Sequence, residues 1–385
     1  MSSVKYWLWL ATRSGTGLVR AKTLLEHFGS PDNIYNAGDR DFLDIDGIKS
    51  AEIRLLMDKD LEYPNRIISL CAQADCRILT LHDSGYPDRL RNIYDPPLVL
   101  YVKGYLPHID DIPVVGVVGT RNCTPYGITA AETTGFELSQ KGISVVTGLA
   151  KGIDTAATRG ALRGGTFTIG VIGSGPDVIY PPENKSLYED VLSSGAVLSE
   201  YPPGTPAIKH HFPERNRIIS GISLGVAVIE APLKSGALIT AARALEQGRD
   251  VFVLPGNVDA VACKGSNLLL REGAIPFMSA NDIIEEYMEL YPDKTDKPKK
   301  NKQKKSFDNT SKVDYIDLGN LLDKLDGDEK VIAEAIGHNT LHIDEVIEIC
   351  GFPAQKVMAS MTILELGGYI QRDYYGKWEL TSPHC

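Results

Sequence analysis

Residues 114–127, VVGVVGTRNCTPYG, constrain the fold of this chain more than any other stretch. Val114, Val115, Val117 and Val118 are β-branched and interrupted only by Gly116, the pattern of a strand buried on both faces. Gly119 ends the run, and Thr120, Arg121 and Asn122 make a short polar turn. Thr124 suits an N-cap and Pro125 the first helical position, so a helix is predicted to about residue 141. A strand, a glycine turn and a helix start aim backbone N–H groups and the positive end of a helix dipole at one place. Arg121 adds a cation there, and the expected occupant is a phosphate.

The same pattern repeats through residues 112–290. Strands are predicted at 114–118, 144–147, 166–172, 196–198, 225–229 and 250–254, with helices at 125–141, 154–163, 184–194, 216–222, 238–248 and about 266–272. Alternation of this kind predicts a parallel, Rossmann-like sheet with helices on both faces and ligands at the carboxyl ends of the strands. Those ends carry Gly119, Thr120 and Arg121; Gly148, Lys151 and Gly152; the turn Gly173-Ser174-Gly175; and Lys234, Ser235 and Gly236. Asp154 is expected to cap the helix after the second turn. A loop at 200–215 brings Lys209, Phe212 and Arg215, followed by Asn216 and Arg217. Any one of these turns alone is only a tight turn, and any one cation alone only a surface charge. Their coincidence at one sheet edge points to a polyanion, with Phe212 placed to stack on a base.

A single dinucleotide would want G-x-G-x-x-G after the first strand and a carboxylate after the second, and neither is present. There is no nucleotide-triphosphate loop, no G-x-S-x-G elbow and no H-E-x-x-H. Ser199, Glu200 and Glu230 lie at strand ends, where capping or loop anchoring is expected of them. The cysteines at 71, 76, 123, 263, 350 and 385 have no metal-ligand spacing and read as free thiols in a reducing cytoplasm. His210 and His211 are expected to be solvated or packed. No metal or cofactor is expected, and no apolar run is long enough to span a membrane. The net charge of -10 speaks against nucleic acid only if the cations are dispersed rather than gathered on one face.

Around this α/β core the chain divides into a helical module at 1–75, a connector at 76–111, a lysine-rich linker at 291–314 and a small domain at 315–385. Within the first, turns at 14–21 and 43–51 resemble a helix-hairpin-helix or SAM-like module; a plain packing module is the simpler reading, because glycine turns between helices are common. The linker core, residues 293–312, holds eight lysines and three aspartates. The last domain has helices at 329–336, 343–350 and 353–366 and a hairpin at 369–380, the order of a winged helix. Its nine acids against four Lys/Arg over 327–385 are the wrong charge for duplex DNA, so it is expected to contact protein, or the body of the chain, rather than duplex.

GTR at 119–121, TGLAKGIDTAA at 147–157, GSGPDVIYPPEN at 173–184, SEYPPGTP at 199–206, FPERNRIISGIS at 212–223, EAPLKSGALITAARALEQGRDVFVLPGN at 230–257 and GSNLLLREGA at 265–274 resemble the bacterial DNA-processing protein A family, also called Smf. Thr147 and Thr158 depart from it, standing where the family often has Ser and His. The resemblance implies a non-enzymatic homodimer that binds and protects single-stranded DNA and loads a RecA-type recombinase during natural transformation. It implies DNA contacts at Arg121, Lys151 and residues 209–217. Arg121 and Lys151 would hold phosphates, Phe212 would stack or wedge on a base, Arg215 and Arg217 would line the groove, and Glu214 and Asn216 would keep the loop's shape. Leu268, Leu269 and Leu270 are a candidate dimer surface. The rival readings are a phosphoribohydrolase-like nucleotide-processing enzyme, whose P-G-G-x-G-T-x-x-E motif is absent, and a structural adaptor, which leaves the central cations unexplained.

Overall fold

A computed structural model describes residues 4–13, 18–288, 290–291, 325, 327–336, 341–372 and 378–380. The chain forms two compact units, Met1–Lys300 and Asn301–Cys385. In the first, helix α1 (Val4–Arg13) buries Trp7, Leu8, Trp9 and Leu10 against α2 (Leu18–Phe28), α3 (Pro31–Asn36), α4 (Ser50–Met57) and α5 (Glu62–Gln73). The Lys59 ammonium lies over the Trp9 and Tyr35 rings at 5.1 and 5.4 Å and donates to the Ile34 and Ala37 carbonyls, tying these helices together. The turn at 14–17 lies outside the described residues. At the second glycine turn the preceding element is a 3-10 turn, Asp39–Phe42, and the Lys49 N–H donates to the Glu52 carboxylate at 2.8 Å. One of the N–H groups that a helix-hairpin-helix offers to phosphate is therefore already taken.

Strands β1 (Cys76–Thr80) and β2 (Val99–Gly104), with the short helix α6 (Asp88–Arg91) between them, come from the segment read as a connector. They are part of the central sheet. Val99, Leu100, Tyr101 and Val102 are all buried, so β2 needs a neighbour on each edge as well as cover on each face. It pairs antiparallel with β1 on one side and with β6 (Ala196–Ser199) on the other. The remaining elements follow in order: β3 (Val114–Val118), α7 (Pro125–Gln140), β4 (Ser144–Thr147), α8 (Ile153–Gly164), β5 (Thr168–Ile172), α9 (Lys185–Ser194), β6, α10 (His211–Ile222), β7 (Gly225–Val228), α11 (Gly236–Glu246), β8 (Asp250–Val253), α12 (Lys264–Arg271), β9 (Ile275–Pro276) and α13 (Ala280–Met288). The nine strands lie in the order β1-β2-β6-β5-β4-β3-β7-β8-β9, parallel from β6 to β9.

The chain builds outward from β3 to β6 and then returns to lay β7 on the other side of β3, with Val117 opposite Ala227. Strand order reverses there, and an open crevice is left above the carboxyl ends of β3 and β7. Helices α7 and α8 meet backbone to backbone: a Cβ built on Gly160 would stand 2.0 Å from the Glu132 carbonyl oxygen, and one on Gly135 2.2 Å from that of Ala157. Two differences from the sequence expectation bear on the site. Helix α10 begins at His211, not 216, because Pro213 falls in the first turn, where a missing N–H costs nothing. The residue at the N-cap of α8 is Gly152, not Asp154.

The second unit has α14 (Gly327–Ile336), α15 (Ile343–Cys350), α16 (Ala354–Leu366) and the hairpin β10 (Ile370–Arg372) with β11 (Trp378–Leu380), the winged-helix order. Ile332, Ile336, Val346, Val357, Met361, Ile370 and Trp378 form its core. The lysine-rich linker lies outside the described residues.

At the α7–α8 crossing, Gly160→Ala is expected to destabilise the protein by about 1–3 kcal/mol through overpacking. Alanine favours a helix by roughly 1 kcal/mol over glycine, so an unchanged or raised urea midpoint would show that the backbones are not in contact.

Candidate functional site

The crevice between β3 and β7 is a groove of about 660 Å³. Its lining includes Gly119, Thr120 and Arg121 from the end of β3, Lys209 from the loop before α10, Phe212, Arg215 and Asn216 from α10, and Lys234, Ser235 and Gly236 at the start of α11. A smaller cleft of about 50 Å³ is lined by Arg121, Gly148, Lys151, Tyr180, Phe212 and Arg215. The structure thus brings twelve of the thirteen residues expected at the site to these two recesses or, for Gly152, against their turns. Arg217 is the exception.

The groove is shaped from behind by Glu230, which is buried beyond the end of β7. Its carboxylate accepts the Thr124 N–H at 2.9 Å and the Thr124 hydroxyl at 2.5 Å, and its backbone carbonyl accepts the Thr120 N–H at 2.7 Å. Thr124 in turn caps α7 by accepting the Gly127 N–H at 3.1 Å. The anchoring role expected for Glu230 is the one it has. With its ends held in this way, the 119–122 turn leaves Arg121 exposed, its guanidinium 5.2 Å from the centroid of the Phe212 ring.

The turn after β4 is held from within. Asp154 lies in the first turn of α8, and its buried carboxylate accepts the Gly148 and Ala150 N–H groups at 3.0 and 3.4 Å. Burial raises its pKa, opposed chiefly by the nearby Arg215 charge and by those two backbone bonds. Gly152, at φ +80, passes so close to the β3 turn that a Cβ there would stand 2.5 Å from the Thr120 carbonyl oxygen. Gly119 is as tightly placed, with Ile153 where a side chain would go. Buried Asn184 donates to the Leu149 carbonyl at 2.9 Å and to the Thr155 hydroxyl at 2.9 Å, holding Leu149 at φ 51. Thr147 and Thr158, the two departures from the family pattern, share a buried hydrogen bond of 2.9 Å.

Helix α10 separates the two arginines. Arg215 packs its guanidinium against Gly148, where a Cβ would be 2.0 Å from Nη1, and donates to the Val171 carbonyl. Among the described residues its Nε has no hydrogen-bond partner, and burial pulls its pKa down to about 10, so it remains a cation. Arg217 does not line the groove. It is 3% exposed and makes a bidentate pair with Glu200, both N···O distances 2.7 Å, and a third contact to Asp95 at 3.2 Å. Burial lowers its pKa, but Glu200 and then Asp95 outweigh that and hold it above the ordinary arginine value. Residues two apart on a helix point to opposite sides, so the loop expectation for both arginines fails at Arg217. Glu214 and Asn216 anchor their surroundings as expected, to the Tyr201 hydroxyl and the Gly236 carbonyl. His211 packs, with Nδ1 3.0 Å from the Gly173 carbonyl oxygen and its ring stacked on Tyr201.

Tyr180 was not singled out from the sequence. It lines both recesses and lies 5.5 Å from the Phe212 ring. Nothing periodic marks it; the only cue is an aromatic residue ahead of Pro181 and Pro182 in a loop after a glycine turn. At the other side of the groove Ser235 caps α11 by accepting the Ala237 N–H at 3.2 Å, so that helix directs its positive end toward Lys234 and Gly236. Among the described residues no three His, Cys, Asp or Glu side chains are grouped to hold a metal ion, and no helix is long and apolar enough to cross a membrane.

A family model for DNA recombination-mediator protein A matches residues 77–288, and one for the DprA winged helix domain matches residues 320–373. The chain is 39% identical over 287 residues to Protein Smf of Synechocystis, covering 74% of this chain and 72% of that one. It is 38% identical over 287 residues to the DNA processing protein DprA of Streptococcus pneumoniae, covering 74% and 99%. The solved structure of that streptococcal protein superposes with a TM-score of 0.65 at 37% identity, covering 73% of this chain and 97% of that one. DNA processing protein A from Helicobacter pylori, a structure described for its unique single-stranded DNA binding mode, superposes with a TM-score of 0.51 at 31% identity, covering 57% and 99%.

Arg217→Met deprives half-buried Glu200 and Asp95 of their guanidinium, and is expected to cost about 3 kcal/mol of stability in urea denaturation. A stability within error of the parent would return Arg217 to the candidate ligand contacts.

Proposed function

This chain belongs to the DNA recombination-mediator protein A family, and from that premise we propose that it binds single-stranded DNA along the groove between β3 and β7. The observation that carries the reading is the state of the cations at the groove. Arg121, Lys209 and Lys234 stand exposed around it, and none of the three is in an ion pair among the described residues. The carboxylate that lines it, Asp154, is turned to backbone N–H groups. A row of free cations and helix N-termini suits a chain of phosphates. Phe212 and Tyr180 supply ring faces for unpaired bases, which a duplex keeps stacked on one another. The family's description as a recombination mediator supports the finer reading: the bound strand is handed to a RecA-type recombinase, and the protein turns over no substrate.

The family resemblance also supports action as a homodimer, and exposed Ile275 and Met278 at the β9 edge give an apolar surface for it. Of the run expected there, Leu268 is exposed but Leu269 is buried. Light scattering is expected to give twice the chain mass; a monomer at micromolar concentration would remove the dimer from this reading.

The binding test is fluorescence anisotropy with a labelled oligothymidylate across a salt series. Arg121→Ala and Lys209→Ala are each expected to weaken binding and to flatten the slope of log affinity against log salt by about 0.7. Phe212→Ala is expected to lose about 1–3 kcal/mol with the slope unchanged, because stacking releases no counterion. A mononucleotide that competes as well as the oligonucleotide would instead favour a nucleotide-processing site.

A further inference from the structure

The fourth exposed cation at these recesses differs from the other three. Lys151 is engaged, its Nζ 2.6 Å from the Glu183 Oε1, although both side chains are exposed. The pair is built from two segments that are fixed beneath it. Asn184, next to Glu183, is buried and bonded to the Leu149 and Ala150 carbonyls, immediately before Lys151. Asp154 holds the same turn from the other side through Gly148 and Ala150. Glu183 therefore does not meet Lys151 as two loose surface chains meet. The buried Asn184 brings its neighbour's carboxylate to the ammonium, and the Lys151 hydrogen bond keeps the Glu183 carboxyl below its ordinary pKa, ionised at neutral pH.

We propose that Glu183 is an internal competitor for the strand, a carboxylate seated where a DNA phosphate would pair with Lys151, and that it limits affinity. This rests on the single-stranded DNA reading of the groove. A carboxylate at a phosphate-binding ammonium acts in two ways. It must be displaced, or tolerated, before a phosphate pairs with Lys151, and it cancels one positive charge that would otherwise release counterions from the strand. Removing it therefore strengthens binding and makes it more salt-dependent, the opposite of what removing a contact residue does. Among the described residues Arg121, Lys209 and Lys234 carry no such competitor, so the device acts at one point of the path and leaves the others to capture the strand.

The experiment uses the full chain and a labelled oligothymidylate, with anisotropy read between about 50 and 200 mM salt. Glu183→Gln is expected to bind about two- to fivefold more tightly at low salt, the range of an exposed ion pair. Its log–log salt slope steepens by about 0.7, and its urea midpoint stays at that of the parent. Lys151→Ala is expected to bind more weakly, and Glu183→Gln in that background to recover less than it gains alone. Three results overturn the inference while the DNA reading stands: a parent that binds with Glu183→Gln no tighter, Lys151→Ala no weaker, or the same gain from Glu183→Gln with and without Lys151. A parent that binds no strand at low salt removes the reading, and this inference with it.

Discussion

The buried carboxylate of Glu230 is the interaction on which the site's geometry depends. It joins the two strands at which the sheet reverses its order, since its backbone carbonyl receives the Thr120 N–H while its side chain receives the N–H and hydroxyl of Thr124. A carboxyl group removed from water is tolerable only with such partners. The arrangement leaves no space for a side chain at Gly127, where a Cβ would be 2.3 Å from the carboxylate. The β3 turn, the start of α7 and the end of β7 become one rigid piece, from which Arg121 projects over Phe212.

A second constraint sorts the arginines. Helix α10 places Arg215 against the floor of the smaller cleft and Arg217 beneath the protein surface among Glu200 and Asp95. Only the former remains within reach of a ligand. The bidentate Arg217–Glu200 pair anchors α10 to the segment following β6, and so holds the helix that carries Phe212. Buried Arg217 secures the scaffold by pairing with carboxylates, whereas Arg121, Lys209 and Lys234 around the groove stay in solvent.

The segment between the N-terminal helices and β3 shows why a linear reading misjudges domain limits. Residues 76–80 and 99–104 are short and separated by a dense turn, so they read as a connector. They close one edge of the large sheet because β6 would otherwise expose its unpaired backbone. A single core then runs from Trp7 and Ile67 through Leu100 to Val228, and the helical module is continuous with the sheet.

The valine run, the alternation of strand and helix, and the glycine turns at strand ends are local patterns. They were therefore readable in the sequence, together with the class of fold, the family, and the cations and glycine turns that lie at the groove. Period and turn chemistry depend on near neighbours, which the chain order supplies directly. The partner of each charge was not readable in this way. Arg217 and Lys151 both looked like free cations. Whether one is buried against Glu200 and the other held by Glu183 depends on contacts 17 and 32 residues away in sequence. Those contacts exist only once α10 has turned Arg217 inward and Asn184 has fixed the β4 turn, because pairing is decided by distance in space.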